Sequence, residues 1–144
     1  MTRRRTKPRA GTRTAKAAQT TRHVISAAAQ RKLAKVRTFC AALDEVSEKP
    51  SHGAPTFFVN GRVFAYFLDN HHGDGRLALW CASPPGAQAM LVDSDRDVYF
   101  VPPYVGCRGW VGVRLDRDAP WPQITSVLET AYDSLNAKKP ARKR

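Results

Sequence analysis

The residue types that could bind a metal ion are concentrated in one short polar loop, DNHHGDG (69–75). Asp69, His71, His72 and Asp74 offer four possible ligands within six residues. Imidazole and carboxylate groups are ligands that Zn²⁺ and related ions accept. Adjacent histidines in a glycine-containing polar loop are more often solvated than metal-bound, however. We therefore expect no metal site and no bound cofactor.

The sequence contains no recognisable linear motif of a catalytic site, so it gives no support for an enzyme. The stretch DSDRD (93–97) begins like an EF-hand loop, but Val98 and Tyr104 stand where that motif needs Gly and Glu. No P-loop or G-x-G-x-x-G follows a predicted strand. His52 has no apparent Ser/His/Asp partners for base catalysis, so we expect its ring to hydrogen-bond a loop backbone. Whether His52 approaches the 104–110 loop in space stays open.

The positive charge of the chain is concentrated at its two ends. Lys and Arg number 24 against 12 Asp and Glu, a net charge of +12. Eight of these basic residues lie in 1–22 and five in 138–144, and neither segment contains an acid. The stretch 23–137 is therefore nearly neutral. We predict a disordered basic arm at 1–22, one domain at 23–137 and a basic tail at 138–144.

Basic arms of this kind usually contact polyanions, because each Lys or Arg that meets a phosphate releases a counterion. DNA is the partner that we predict, and binding would be largely non-specific because phosphate contacts carry no sequence information. A solubilising tail is the alternative. The arm residues predicted to contact DNA are Arg3, Arg4, Arg5, Lys7, Arg9, Lys138, Lys139, Arg142, Lys143 and Arg144.

Cysteine usage and hydropathy bear on the compartment. The three cysteines are widely spaced and form no C-x-x-C pair, which favours reduced thiols. The sequence has no secretory signal pattern and no stretch of about 18 apolar residues. We expect a protein without membrane contact, located in the cytoplasm, with nucleoid association as a possible refinement.

Hydrophobic periodicity predicts helices at both ends of the domain and strands between them. The first helix runs from about Ser26 to before Pro50, and the last from about Pro122 to Asn136. Asn60-Gly61 predicts a type I′ turn between two strands, and Ser83 is a plausible N-cap of a short middle helix. The predicted strands lie within 55–68 (two strands), 76–82, 97–101 and 110–115. The order α-β-β-β-(α)-β-β-α predicts an α+β fold, a five-stranded antiparallel sheet with helices on one face.

The last predicted strand, WVGVRL (110–115), raises the question of what covers the other face. Trp110, Gly112 and Arg114 alternate with aliphatic residues that suit the helix-covered core. A large aromatic over a glycine shields the bare backbone, so we expect an indole to rest on Gly112. Further aromatic candidates for the open face are Tyr66, Trp80 and Tyr99.

Two interpretations of these aromatics remain open. They form a stacking platform, flanked by Arg108 and Arg114, for nucleic-acid bases or for a protein partner. Alternatively, they close a second, minor core. If the face is functional, Arg108 and Trp110 are the pair that we expect to act.

Three segments resemble the MmcQ/YjbR-like family: SHGAPTFFVNGRVFAYF (51–67), LALWCASPPGAQAML (77–91) and PPYVGCRGWVGVRLD (102–116). The resemblance runs from about Lys35 to Tyr132. It implies a CyaY-like (frataxin-like) fold, often described as a double-wing DNA-binding fold. Few acidic residues lie on the first helix, which disfavours frataxin-like iron binding. The basic arms are longer than the family pattern leads us to expect.

The sequence thus predicts a non-catalytic, DNA-binding protein of the MmcQ/YjbR type, with the arms supplying most of the affinity. The domain would add a groove-facing wing, either the 60–61 turn or the 104–110 loop with Arg108, or else the aromatic sheet face. The alternative is a protein-interaction or small-ligand module in which Trp110 and Arg108 face the partner.

Overall fold

A computed structural model describes residues 26–136 of the chain. In this part of the chain the helices are α1 (Ala27–Ala41), α2 (Ala87–Ser94) and α3 (Trp121–Leu135). The strands are β1 (Val46–Ser51), β2 (Ala54–Val59), β3 (Arg62–Asp69), β4 (Leu77–Cys81), β5 (Tyr99–Phe100) and β6 (Val111–Arg114). The arms at 1–22 and 138–144 lie outside the described residues, so the division into arms and domain stays a prediction.

One antiparallel sheet carries the fold, with strand order β1-β2-β3-β4-β6-β5. The predicted α+β class is confirmed, but the sheet has six strands in the described residues and not five. No helix between residues 26 and 136 is long and apolar enough to cross a membrane.

The strand that the sequence analysis missed is β1. The first helix ends at Ala41 rather than near Pro50, and Val46–Ser51 pairs with β2. Strand β1 is the outer edge of the sheet. An edge strand tolerates a proline such as Pro50, because it has no neighbouring strand on its solvent side to which an N–H would donate. Its exposed side chains give no apolar alternation. The side chain of Arg37 on α1 forms a bidentate ion pair with Glu48 on this strand.

The hairpin between β2 and β3 has the turn that the sequence predicts. Asn60 and Gly61 both have positive φ, 52° and 80°, as a type I′ turn requires. The Asn60 side chain also donates a hydrogen bond of 2.9 Å to Oδ1 of Asn136, immediately after α3. The tip of the hairpin is therefore tied to the end of the last helix.

The two predicted helix caps have different outcomes. The Ser26 hydroxyl caps α1 by accepting a hydrogen bond from the backbone N–H of Ala29 at 3.1 Å. Ser83 does not cap α2, which was a wrong prediction. Instead, Gly86 adopts φ 87° in a turn closed by the N–H of Ala87 and the carbonyl of Pro84, and the helix begins after it.

The face of the sheet that α3 covers is defined by strand register. Neighbouring strands place Phe67, Leu79, Val113 and Tyr99 in one row, and all four are buried. The Tyr99 hydroxyl accepts a hydrogen bond of 2.8 Å from the side chain of Gln123 on α3. Tyr99 therefore faces the helices, and its placement on the open face was wrong. This register leaves the alternate residues of each strand for the opposite face.

Candidate functional site

On the opposite face, strand register places one residue of each strand in a second row. Across β2, β3, β4, β6 and β5 this row reads Thr56, Tyr66, Trp80, Gly112 and Phe100. The Tyr66 and Trp80 rings meet edge to face with centroids 6.4 Å apart. Trp80 is only 4% exposed, so these rings pack as a small second core rather than as a bare platform.

The aromatic that rests on Gly112 is Phe100, not an indole as expected. A Cβ built at Gly112 would lie 2.3 Å from Cζ of the Phe100 ring. The ring comes from the neighbouring strand β5, directly opposite in the register. The guanidinium of Arg76 lies 4.1 Å from the centroid of the same ring. The principle of an aromatic shielding a strand glycine holds, but the partner was misassigned.

Trp110 belongs to the same second core. Its side chain is 5% exposed, and its ring centroid lies 5.8 Å from that of Tyr66. The Gln88 side chain on α2 donates hydrogen bonds to the carbonyls of Trp110 and Gly106, at 2.6 and 2.8 Å. Exposed Arg108 lies over the indole at 5.4 Å from its centroid. The predicted pair is thus in contact, with Arg108 as its accessible member.

Arg114, the third body residue of the predicted interface, is engaged in an ion pair. Its guanidinium donates to both carboxylate oxygens of Asp116, at 2.9 and 3.0 Å. The hydrogen bond to Asp116 raises the pKa of Arg114, against the opposing effect of burial. Burial alone would raise the pKa of Asp116. Hydrogen bonds from Arg114 and from the Leu77 N–H outweigh this effect, and the pKa of Asp116 is lowered. Arg114 therefore already has a carboxylate partner.

The other residues of the predicted interface are outside the described part of the chain. They are Arg3, Arg4, Arg5, Lys7, Arg9, Lys138, Lys139, Arg142, Lys143 and Arg144.

A cleft of about 470 Å³ opens beside the Tyr66–Trp80 pair, and sequence analysis did not identify it. Its walls come from three separate turns, which contribute His52, the pair His71 and His72, and Tyr104. His52 and Tyr104 therefore line the same cleft, which settles the question that the sequence left open about the 104–110 loop. The only sequence signal was the presence of His52 and Tyr104 in segments of the family pattern.

Three of these wall residues have a backbone conformation that bulky side chains rarely adopt. His52, His72 and Tyr104 have φ of 53°, 52° and 66°. Tyr104 has ψ −63° and is the centre of a γ-turn, closed by the Val105 N–H and the Pro103 carbonyl at 2.6 Å. At His52 the positive φ is what the two-residue turn between β1 and β2 requires, because Ser51 pairs with Ala54. The strain at Tyr104 persists only where surrounding structure enforces it, and such strain concentrates at binding and catalytic sites.

The rings of these turns converge at the mouth of the cleft. The His71 ring lies edge to face on Trp80 at 4.9 Å and contacts His72 at 4.0 Å, both measured between centroids. The Tyr104 ring lies 6.5 Å and 6.4 Å from these two imidazoles. Tyr104 is 71% exposed, so most of its surface remains accessible.

The surroundings of the cleft lower the pKa of His71 and so favour its neutral form. Burial lowers its pKa most, the neighbouring His72 and the more distant His52 lower it further, and Asp74 opposes them. Asp74 is itself used in a turn, where its Oδ1 accepts a hydrogen bond from the Arg76 N–H at 2.9 Å.

Metal ligation was the other possibility for this loop. No group of three or more His, Cys, Asp or Glu side chains between residues 26 and 136 is placed to hold a metal ion. Within the same residues the His52 ring makes no hydrogen bond, so the predicted bond to a loop backbone is not observed there. The arrangement offers planar rings and imidazole nitrogens to a ligand.

The family relationship rests on a match between the chain and one family model. The family model described as YjbR matches residues 41–134, more than half of the chain. The match begins at the end of α1 and includes every strand, the cleft and nearly all of α3. No curated protein and no solved structure shows significant similarity to the chain. The chain belongs to the YjbR family.

Proposed function

We propose that this protein is a non-catalytic DNA-binding protein that contacts duplex DNA, largely without sequence preference, through its two basic arms. The observation that carries the proposal is the distribution of charge: 13 of the 24 basic residues lie in two acid-free end segments. Phosphate neutralisation by such segments supplies most of the affinity in non-specific binding. The proposed location is the cytoplasm, at the nucleoid.

The helix layer supports a bridging arrangement of the arms. Lys35 on α1 lies over the ring of Trp121 at the start of α3, 4.6 Å from its centroid. The Tyr132 hydroxyl near the end of α3 donates 2.8 Å to the carbonyl of Asp44, just beyond α1. The two helices therefore run in the same direction. Residue 26 begins one and residue 136 ends the other, so the arms attach at opposite ends.

The separation of these attachment points suits a duplex. The 15 residues of α3 alone span roughly 22 Å at about 1.5 Å per residue. That length equals about six base pairs at about 3.4 Å each. Two arms attached this far apart can bind phosphates of successive grooves while the nearly neutral body lies between them.

The β2–β3 hairpin is the element of the body that we propose as a wing. Its tip is held by the Asn60 side chain to Asn136, which precedes the C-terminal tail by two positions in the sequence. Arg62, the first residue of β3, is exposed next to this tip. We propose that the hairpin and the tail form one basic surface, as in the double-wing, CyaY-like arrangement that the family resemblance implies.

A salt series on the full chain tests this function. Binding to a fluorescent duplex of about 20 base pairs is measured from about 50 to 200 mM salt. Neutralising the five basic residues of the tail to Gln should make the log–log slope shallower by roughly 4.5, since each lost phosphate contact removes about 0.9. The affected residues are Lys138, Lys139, Arg142, Lys143 and Arg144.

A matched control changes the net charge equally on the body. Five exposed basic residues of the body, changed together to Gln, should alter the slope by less than about 1. They are Arg31, Lys35, Lys49, Arg96 and Arg117. If both variants lost the same slope, net charge alone would drive binding and the assignment to the arms would be wrong.

A second candidate function, a small-ligand-binding module, is favoured by one observation. The cleft of about 470 Å³ is within the usual size range of small-molecule sites, roughly 300–1,000 Å³. The side chains that line the cleft indicate which class of ligand would fit it.

A further inference from the structure

The cleft is separate from the proposed wing. Strand β3 begins with Arg62 near the hairpin tip and ends with Asp69, beside the His71–His72 turn. Its eight residues span about 23 Å at about 3.3 Å per step. A ligand in the cleft would therefore not compete with phosphates bound at the hairpin.

The walls of the cleft are formed mainly by planar and aliphatic side chains. Tyr66, Trp80 and Tyr104 contribute aromatic rings, and Leu68 and Val105 contribute aliphatic groups. Among residues 26–136, those that line the cleft include no Asp, Glu, Lys or Arg. Such a lining disfavours a free phosphate or a metal ion and suits a flat, neutral ring.

Hydrogen-bonding groups stand at the same walls without partners in the described structure. The rings of His52 and His72 and the hydroxyl of Ser51 make no hydrogen bond to any residue between 26 and 136. A neutral imidazole offers one donor and one acceptor, and a hydroxyl offers both. These groups match the edge of a heterocycle that carries alternating ring nitrogens and exocyclic groups.

We propose that this cleft binds a single nucleobase. The base lies against the exposed face of Tyr104, and its edge bonds to His52, His72 or Ser51. The turns that contain His52, His72 and Tyr104 place these three residues around the cleft before a ligand binds. The base can belong to a free nucleoside or to an unpaired position in a nucleic acid. Only the second source rests on the proposed DNA-binding function.

Adenosine is the probe for the first test, which uses the full chain. Titration should give saturable shifts of the His52 and His72 ring proton signals in NMR spectra, together with a change in Trp fluorescence. Tyr104→Leu should weaken binding about ten-fold or more, because stacking of one base on an aromatic contributes this much. Tyr104→Phe should retain binding, and His72→Asn, which tolerates positive φ, should weaken it.

The control is Arg96→Gln, an exposed residue that does not line the cleft. It should leave adenosine binding unchanged. Absence of saturable shifts with adenosine, or equal affinity of the Tyr104→Leu and unmodified chains, would overturn the proposal.

A second test distinguishes the two sources of the base and separates this proposal from the DNA-binding function. A duplex with one unpaired adenine is compared with its fully paired counterpart. Preference for the unpaired duplex that disappears in Tyr104→Leu identifies a base within a nucleic acid, and equal affinity identifies the free nucleoside. The salt slope for the paired duplex should not change in Tyr104→Leu. If the protein bound adenosine but no duplex, only the DNA-binding function would be refuted. If it bound the duplex but not adenosine, only the cleft proposal would be refuted.

Discussion

The ring of Phe100 lies so close to Gly112 that no side chain fits between the ring and the backbone. A Cβ at Gly112 would meet three ring carbons, Cζ, Cε2 and Cε1, at 2.3, 2.4 and 2.6 Å. The glycine is buried in the strand next to Trp80, its register partner on β4. It permits the edge strand β5 to place an aromatic ring against the backbone of β6.

Gly112→Ala should therefore destabilise the protein by about 1–3 kcal/mol, the usual cost of overpacking a filled core. Urea unfolding followed by circular dichroism measures the change. Phe100→Leu in the same chain should recover part of the loss, because the two substitutions share one contact and will not be additive.

Gly106→Ala is the matched control. Its new Cβ would meet Cγ1 of Val101 at 2.6 Å, but that side chain is 54% exposed and can turn away. We expect a smaller loss of stability than at Gly112. A larger loss at Gly106 would show that the contact with Phe100 is not what requires glycine in β6.

Arg108 and Trp110 should differ sharply in the effect of their removal. Trp110→Ala should cost about 3–5 kcal/mol, since the indole is 5% exposed. Arg108→Gln should cost about 0.5–1 kcal/mol, the contribution of an exposed cation–π contact. Urea unfolding of both variants checks this. A stable Trp110→Ala chain would contradict the assignment of Trp110 to the second core.

Because the two substitutions differ in their effect on stability, only Arg108→Gln can test the contribution of this pair to DNA binding. Loss of DNA binding in Trp110→Ala would report a damaged fold. Arg108→Gln keeps the core, so a shallower salt slope by about 1 in that variant would indicate one phosphate contact at the 105–108 turn.

The three thiols should react at very different rates. Burial, with a smaller effect of Glu48, raises the pKa of Cys40 to about 12, and burial raises that of Cys81 as well. Cys107 is exposed. A thiol reagent at neutral pH should label one cysteine rapidly in the native protein and three in denaturant. Cys107→Ser should abolish the rapid phase; rapid labelling of a second thiol would contradict the burial of Cys40 and Cys81.

Much of the fold could be predicted from local signals. Asn60-Gly61 predicted a turn that requires positive φ at both residues, and both have it. The apolar stripe of α3 predicted a helix within one residue of its observed bounds. These features depend on neighbouring residues. The edge strand β1 could not be found this way, because its partner β2 lies on one side only and its exposed residues follow no apolar alternation.

The candidate cleft depends on contacts between distant segments, which periodicity does not encode. His52 and Tyr104 are separated by 52 positions and line the same cleft only because β2, β3, β4 and β6 pair in the observed register. Likewise, alternation placed Gly112 on the face opposite the helices, but only the pairing of β5 with β6 identifies Phe100 as its cover. Alternation therefore predicted which face Gly112 occupies, whereas the residue that covers it depends on strand pairing.

Stability should fall as the pH decreases below about 6.5, with His71 contributing to the loss. Burial, followed by the effects of His72 and His52, lowers the pKa of His71 below its ordinary value of 6.5, and only Asp74 opposes this. Between that value and the lowered one, the unfolded chain binds a proton that the folded chain does not. Acidification through this range therefore favours unfolding.

His71→Gln should make the stability of the protein less dependent on pH, because the residue that titrates differently in the two states is removed. The free energy of unfolding is measured in urea at about pH 7.5 and about pH 5.5 for both chains. His72→Asn serves as a control that keeps His71 but removes one of the neighbours that lower its pKa, so its pH dependence should be intermediate. If His71→Gln lost as much stability on acidification as the unmodified chain, the imidazole would not be held neutral by the walls of the cleft.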